Sequence, residues 1–409
     1  MDRQTSDVDF LISPSSSPSP SPVFHCDYTD WSPSLSIIPS IYLLAFLIGC
    51  LGNGLVLWVY LDRVEERRAR SSTFSYSLIA SLALADLCFL VTLPLWAVYT
   101  AMGYHWPFGQ PLCQISSFLT ALNMYASVFS LSMLSVERYW VLSGRRHSGH
   151  HHPQTCPSRA LWILGGVWLL AGVLALPGLL LRSTADSGSV LLSCQMDYSM
   201  LIGAELEEAE KDRAEMWWTA ALSLKSTLIG FLLPLVILLL CYCSLAKLLN
   251  RHFGQGPRPD RKRQRRLLRV IVTLVMAFFL CWLPLHVNKT LSMLLEFGFV
   301  PYSCSLDQIL LAAHPYVTCL AYLNSCLNPL LYATCDPSFR KRCRGALLML
   351  KNAITSPKMA SGSTKHFWSF ELFQYLFYYV SICLLICVAL FLCSLALNLC
   401  CTVFVVSPE

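Results

Sequence analysis

Charged side chains are scarce in this sequence. Asp, Glu, Lys and Arg make up only 13% of its 409 residues, 55% are hydrophobic, and the mean hydropathy is +0.53. That balance excludes an ordinary soluble domain and places the chain in lipid. The first 36 residues lack a long apolar run, so no cleavable signal peptide is expected and the first apolar span acts as its own insertion signal. No internal repeat or pair of broken helices marks a transporter or channel. No nucleophile and base stand at a recognisable spacing, and Asp86 alone is not a proton-relay chain, so no enzyme is expected. The one N-glycan sequon, Asn288-Lys289-Thr290, lies inside an apolar span, so no glycan is expected either.

What is present is a series of apolar stretches. A helix rises about 1.5 Å per residue, so about 20 residues cross a hydrocarbon core of about 30 Å. Seven stretches qualify: Ile37 to Tyr60, Thr73 to Val98, Leu112 to Leu142, Arg159 to Leu181, Trp217 to Leu249, Arg265 to Leu295 and Ser305 to Thr334. The expected fold is an all-α membrane protein, a seven-helix bundle at residues 37–348, ending in a short amphipathic eighth helix over Asp336 to Leu348.

The net charge of +6 does not point to nucleic acid, because the basic residues sit in short loops beside the spans. Arg63, Arg67, Arg68 and Arg70 follow the first span, Arg145 and Arg146 the third, Arg258 to Arg269 precede the sixth, and Arg340 to Arg344 follow the seventh. The positive-inside rule makes these loops cytoplasmic and the N-terminus extracellular. Residues 1–36, with SPSSSPSPSP at 13–22, read as a flexible outer tail. Residues 349–409 form a second tail. Within it, Phe367 to Val406 carries Glu371 as its only charge and is long enough to cross a membrane.

Most of the 19 cysteines lie within apolar spans, where thiols act as small hydrophobes. Cys26, Cys113, Cys194 and Cys304 fall on the oxidising side, and three pairings are open to them. Asp86, mid-span, must face the bundle interior. Asn123, Ser127, Asn324 and Asn328 are its candidate partners, either as a polar network or as oxygen ligands for a small cation such as Na⁺. Pro94, Pro177, Pro234, Pro284 and Pro329 each interrupt a span and allow a kink.

The neighbours of these prolines are specific. Cys281-Trp282-Leu283-Pro284, Asn328-Pro329-Leu330-Leu331-Tyr332 and Glu137-Arg138-Tyr139 occur together with Gly52-Asn53, Leu82, Asp86, Trp168, Pro234 and Tyr242. Every span thus carries a landmark that resembles the rhodopsin-like family of G-protein-coupled receptors. Within it, Cys26-Asp-Tyr-Thr-Asp-Trp31, Thr92-Leu-Pro-Leu-Trp96, Trp106-Pro-Phe-Gly109, Asn123 to Phe129, Met196 to Met200 and Tyr322 to Pro329 are similar to the apelin-receptor branch.

The resemblance implies bridges Cys113–Cys194 and Cys26–Cys304, and an allosteric Na⁺ site at Asp86, Asn123, Ser127, Asn324 and Asn328. It implies a switch in which Trp282, above Phe278, lies under the ligand. Arg138, held near Glu137 and beside Tyr139, would be released as the sixth span swings about Pro284. Pro234, Tyr242, Asn328, Pro329 and Tyr332 would complete the open state. Its partners would be a basic peptide of the apelin or Elabela/Toddler type, an inhibitory heterotrimeric G protein, arrestin and membrane lipid. Asp27, Asp30 and Asp307 would attract the peptide, Arg182 and Lys289 would take its acidic or C-terminal groups, and Trp96, Tyr99 and Tyr322 would line the walls.

An acidic outer surface, including Glu205 to Glu215, fits a cationic ligand independently. That stretch is equally a solvated loop or helix extension. Two departures stand out. Ala101-Met-Gly-Tyr-His105 lacks the acids found in relatives, and the loop after Tyr139 reads Trp140-Val-Leu-Ser-Gly-Arg-Arg-His-Ser-Gly-His-His-His152, without the usual apolar contact for a G protein. A decoy receptor that binds peptide without G-protein activation is therefore the alternative. Lys225 has no role in the resemblance, and Cys343 is a palmitoylation site or a free thiol.

Overall fold

The computed structural model describes residues 34–66, 73–144, 157–186, 192–203, 205–251, 258–335, 339–341 and 343–345. Its elements are α1 (Ser34–Glu66), α2 (Thr73–Leu90), α3 (Leu93–Ala101), α4 (Gly109–Gly144), α5 (Pro157–Leu180), strands β1 (Arg182–Asp186) and β2 (Leu192–Met196), α6 (Glu208–Thr227), a π-helical turn at Leu228–Leu232, α7 (Leu233–Arg251), α8 (Arg258–Glu296) and α9 (Cys304–Cys335). Seven stretches are long and apolar enough to cross a membrane: Leu35–Tyr60, Ser77–Ala101, Gly109–Glu137, Leu161–Leu180, Glu208–Leu245, Leu268–Glu296 and Cys304–Thr334. The second runs through α2 and α3, and the fifth through α6, the π turn and α7.

Two breaks follow from proline. Between α2 and α3, Thr92 turns back on Phe89, whose carbonyl accepts from both the Thr92 amide (2.8 Å) and its hydroxyl (2.7 Å). Pro94 then restarts the helix at a position where a missing N–H costs nothing. In the fifth span, Pro234 cannot donate to the carbonyl four residues back, at Gly230. The preceding turn widens, and the Leu233 amide reaches Leu228, five residues away.

Helix α4 runs through the centre, packed by α2 and α5 on one side and by α7 and α8 on the other. Helix α5 touches the bundle along one stripe, burying Val167, Ala171 and Ala175 at four-residue spacing, while Trp162 (81% exposed) and Leu169 (71%) face outward. In water such a surface would be a liability; in hydrocarbon it is the expected exterior. Trp168 anchors α5 by donating to the Ser81 hydroxyl at 2.8 Å, a bond whose net contribution is about 1 kcal/mol.

Helices α1 and α9 approach closely. A Cβ on Gly52 would lie 2.7 Å from Pro329 Cβ, so only glycine fits without displacement. The next residue, Asn53, donates its side-chain amide to the carbonyls of Gly49 (3.0 Å) and, across the contact, Ser325 (2.8 Å). These bonds replace the freedom lost at a tight crossing with fixed register.

The fifth span begins at Glu208 rather than at the expected Trp217, because the charged residues 208–215 are helical, a helix extension rather than a loop. Of the expected eighth helix, the structure describes residues 339–341 and 343–345, which are helical; the rest of Asp336 to Leu348 lies outside the described residues, as do residues 1–33, the second tail and the loop at 145–152, whereas residues 34–36 of the expected first tail open α1.

Candidate functional site

Three polar or aromatic centres are stacked along the bundle. The first lies at the end that carries the β-hairpin. Strands β1 and β2 pair antiparallel, with Arg182 opposite Met196 and Thr184 opposite Cys194. A Cys113–Cys194 disulfide, with Cα atoms 5.7 Å apart, ties β2 to the start of α4. Trp106 locks the same corner: its amide donates to Leu192 O at 2.7 Å and its indole to Gly109 O at 2.9 Å. Cys304 opens α9; Cys26, its expected partner, lies outside the described residues, and so do Asp27 and Asp30.

Beneath the hairpin, Arg182 donates to Cys194 O at 2.8 Å, while its Nε is buried with no partner among the described residues. Burial pushes the Arg182 pKa below the usual arginine value, and the hydroxyls of Tyr322, Tyr99 and Tyr198 act in the opposite sense; a guanidinium remains charged regardless. Lys289 lies on α8 seven residues, about 10 Å of helix, beyond Trp282 toward the same end. Among the described residues neither has a carboxylate partner. Trp96 stands against Tyr99 (5.8 Å between ring centroids) and Trp106 (5.3 Å), its indole N–H buried without a partner among the described residues. Tyr322 packs on Phe89 (4.9 Å) and Tyr42 (5.7 Å). Two cations with unused donors among aromatic walls form a site for an anionic group.

The hairpin end is otherwise acidic. Asp307 takes a 3.4 Å bond from the Tyr302 hydroxyl in the first turn of α9. The Ser199 hydroxyl and backbone N–H hold the Asp197 carboxyl below the usual range. Glu205, Glu207, Glu208, Glu210, Asp212 and Glu215 are all exposed.

The second centre lies one layer down. Trp282 stacks obliquely on Phe278 (5.8 Å), which meets Phe279 edge-on (5.4 Å). Above it His286, unnoticed in the sequence, is buried against Phe231 (4.8 Å) and shares a 3.0 Å hydrogen bond with Thr227 just before the π turn. The signal was available, since His286 is one helical turn from Trp282 on the same face.

The third centre surrounds Asp86, which is fully buried. Asn123 donates to Asp86 Oδ1 at 2.9 Å and Asn328 to Oδ2 at 2.7 Å, while Ser325 donates to Asn123 Oδ1 at 3.2 Å. Ser325 is a member that sequence reasoning missed, although it stands three residues before Asn328. Ser127 is 3.5 Å from the Asn123 amide, and Asn324 Oδ1 is buried with no partner among the described residues. A carboxylate, a hydroxyl and an orphaned amide oxygen are ligands suited to a small hard cation, so the residues fit the expected Na⁺.

Toward the opposite end, Tyr242 and Tyr332 have different partners. Ser135 donates to Leu131 O (3.0 Å), which leaves its lone pair for the Tyr242 hydroxyl at 3.0 Å. Tyr332 packs against Phe339 (6.0 Å) and Tyr60 (6.4 Å), its hydroxyl buried without a partner among the described residues. Glu137 and Tyr139 are partly exposed near the end of α4; the Arg138 side chain lies outside the described residues.

This stack of landmarks is matched by the profile of the rhodopsin family of seven-transmembrane receptors over residues 52–332. The chain belongs to that family. As a rhodopsin-family receptor it is a multi-pass protein of the plasma membrane and not an enzyme. It is similar to Apelin receptor B of Danio rerio, 44% identical over 348 residues that cover 83% of this chain and 90% of the relative. Apelin receptor A of the same species is 46% identical over 342 residues, covering 83% and 89%. The Type-1 angiotensin II receptor of Canis lupus familiaris is 34% identical over 316 residues, covering 75% and 79%.

Proposed function

We propose that this receptor is activated by basic peptides of the apelin and Elabela/Toddler type and signals through an inhibitory heterotrimeric G protein and arrestin. The observation that carries the reading is that Arg182 and Lys289 are two cations toward the hairpin end without a carboxylate partner among the described residues, inside an otherwise acidic rim. Basic stretches of the peptide meet the rim, and a carboxylate at its end reaches the two cations. The rim then faces outside, as the basic-rich loops at the other end require.

Ligand pressing on Trp282 shifts a pre-existing equilibrium in which α8 pivots about Pro284 and Arg138 parts from Glu137. Asn328 exchanging partners at Asp86 couples that step to α9, and Tyr332 and Tyr242 leave Phe339 and Ser135 for the opened cleft. Asp86, Asn123, Ser127, Asn324 and Asn328 would hold Na⁺, whose charge would favour the closed arrangement.

Competition for a labelled basic peptide by each of the two peptide types tests the reading: displacement by at least one, sensitive to salt, is expected. Absence of saturable binding would sink it. Peptide taken into cells with no G-protein response would favour the decoy reading, which the unusual loop at 140–152 motivates.

A further inference from the structure

The fifth span carries a lysine that none of the three centres uses. Lys225 Nζ donates to the carbonyl of Leu174 on α5 at 2.9 Å and lies 5.8 Å above the ring of Tyr125 on α4. Both partners are neutral, and among the described residues no carboxylate pairs with it. An unpaired ammonium within a span is costly and marks a site by default.

The surroundings define what can reach it. Helix α5 packs on α4, and so do the π turn and α7, but α5 does not pack closely against α6 or the π turn. The groove between the fourth and fifth spans is thus floored by α4 and opens outward. Its lips are apolar and exposed: Leu170 (51%) on α5, one turn from Leu174, with Leu224 (47%) and Leu228 (45%) on the other side. Trp217 and Trp218, residues of the kind that mark a membrane interface, stand about 11 Å further toward the hairpin end, at seven or eight residues of helix. Lys225 therefore lies below the interface, accessible from the hydrocarbon side.

We propose that this groove is a binding site for a long-chain fatty acid, its carboxylate paired with Lys225 Nζ and its chain lying along Leu170, Leu224 and Leu228. A carboxylate supplies the charge that Leu174 O and Tyr125 do not, and a single chain carries it to that depth through lipid. A free aqueous anion has no route, and a phospholipid headgroup sits at the interface above. The site is separate from the peptide-binding cations, and its test does not depend on which peptide the receptor takes.

The experiment is saturable binding of labelled oleate to the purified full-length receptor in nanodiscs of neutral phosphatidylcholine. The wild type should bind oleate stoichiometrically. Lys225→Met should weaken binding about tenfold or more, as loss of a charge-assisted bond implies, and Lys225→Arg should retain it. Leu170→Trp keeps the ammonium and fills the groove, so it should also abolish binding, which guards against misreading a folding defect in the first variant. Absence of saturable oleate binding in the wild type, equal binding by Lys225→Met, or saturable capture of phosphatidylglycerol in place of oleate would each overturn the proposal.

Discussion

Asn328 of α9 donates its amide to Asp86 of α2 at 2.7 Å, so the seventh span is held to the second through one buried carboxylate. Asn123 takes the other oxygen, and Ser325 in turn binds Asn123. A shift of α9 relative to α2 and α4 would have to break one of these bonds.

Asp86→Asn removes the charge while keeping the shape. Raising NaCl, with ionic strength held by a choline salt, should weaken peptide agonist binding by about fivefold or more in the wild type, within the usual range of allosteric coupling. The Asp86→Asn receptor should show no such Na⁺ response. An unchanged Na⁺ response in the variant would remove Asp86 from the cation site.

The α1–α9 contact makes a prediction about stability. Gly52→Leu drives a side chain into Pro329, whose Cβ stands 2.7 Å from the added Cβ; overpacking of this kind costs about 1–3 kcal/mol. The detergent-solubilised variant should melt several degrees lower. Gly172→Ala, whose added Cβ meets nothing within 4 Å, should melt as the wild type.

Opening the Cys113–Cys194 bridge should loosen the hairpin that holds Arg182. Cys113→Ala with Cys194→Ala removes a cross-link spanning 81 residues, and native disulfides are worth roughly 2–5 kcal/mol. The double variant should lose both thermal stability and peptide binding. Arg182→Gln should lose peptide affinity with little change in melting. Equal losses of melting temperature in the two would make Arg182 structural.

The seven spans were legible because hydrocarbon demands about 20 apolar residues whatever the fold, and composition records that demand directly. Span ends were less so. Glu208 to Glu215 continues the fifth helix into water, where hydropathy carries no signal. The π turn at Leu228–Leu232 could not be read, since Pro234 announces a lost bond but not how the backbone absorbs it. The β1–β2 pairing rests on backbone bonds across a short loop with no strong alternation. Asp86 and its asparagines were visible as polar residues in apolar spans, whereas Ser325 and His286 passed for ordinary helix residues until geometry paired them. Lys225 was conspicuous by its charge, yet its partner is a main-chain carbonyl, which no sequence displays.

The most direct test of the receptor function is forskolin-raised cyclic AMP in cells that express the full chain and are treated with apelin or Elabela. A concentration-dependent fall in cyclic AMP, abolished by Arg182→Gln with Lys289→Gln and by pertussis toxin, is the predicted result. Peptide that binds and is internalised while cyclic AMP stays unchanged would contradict it.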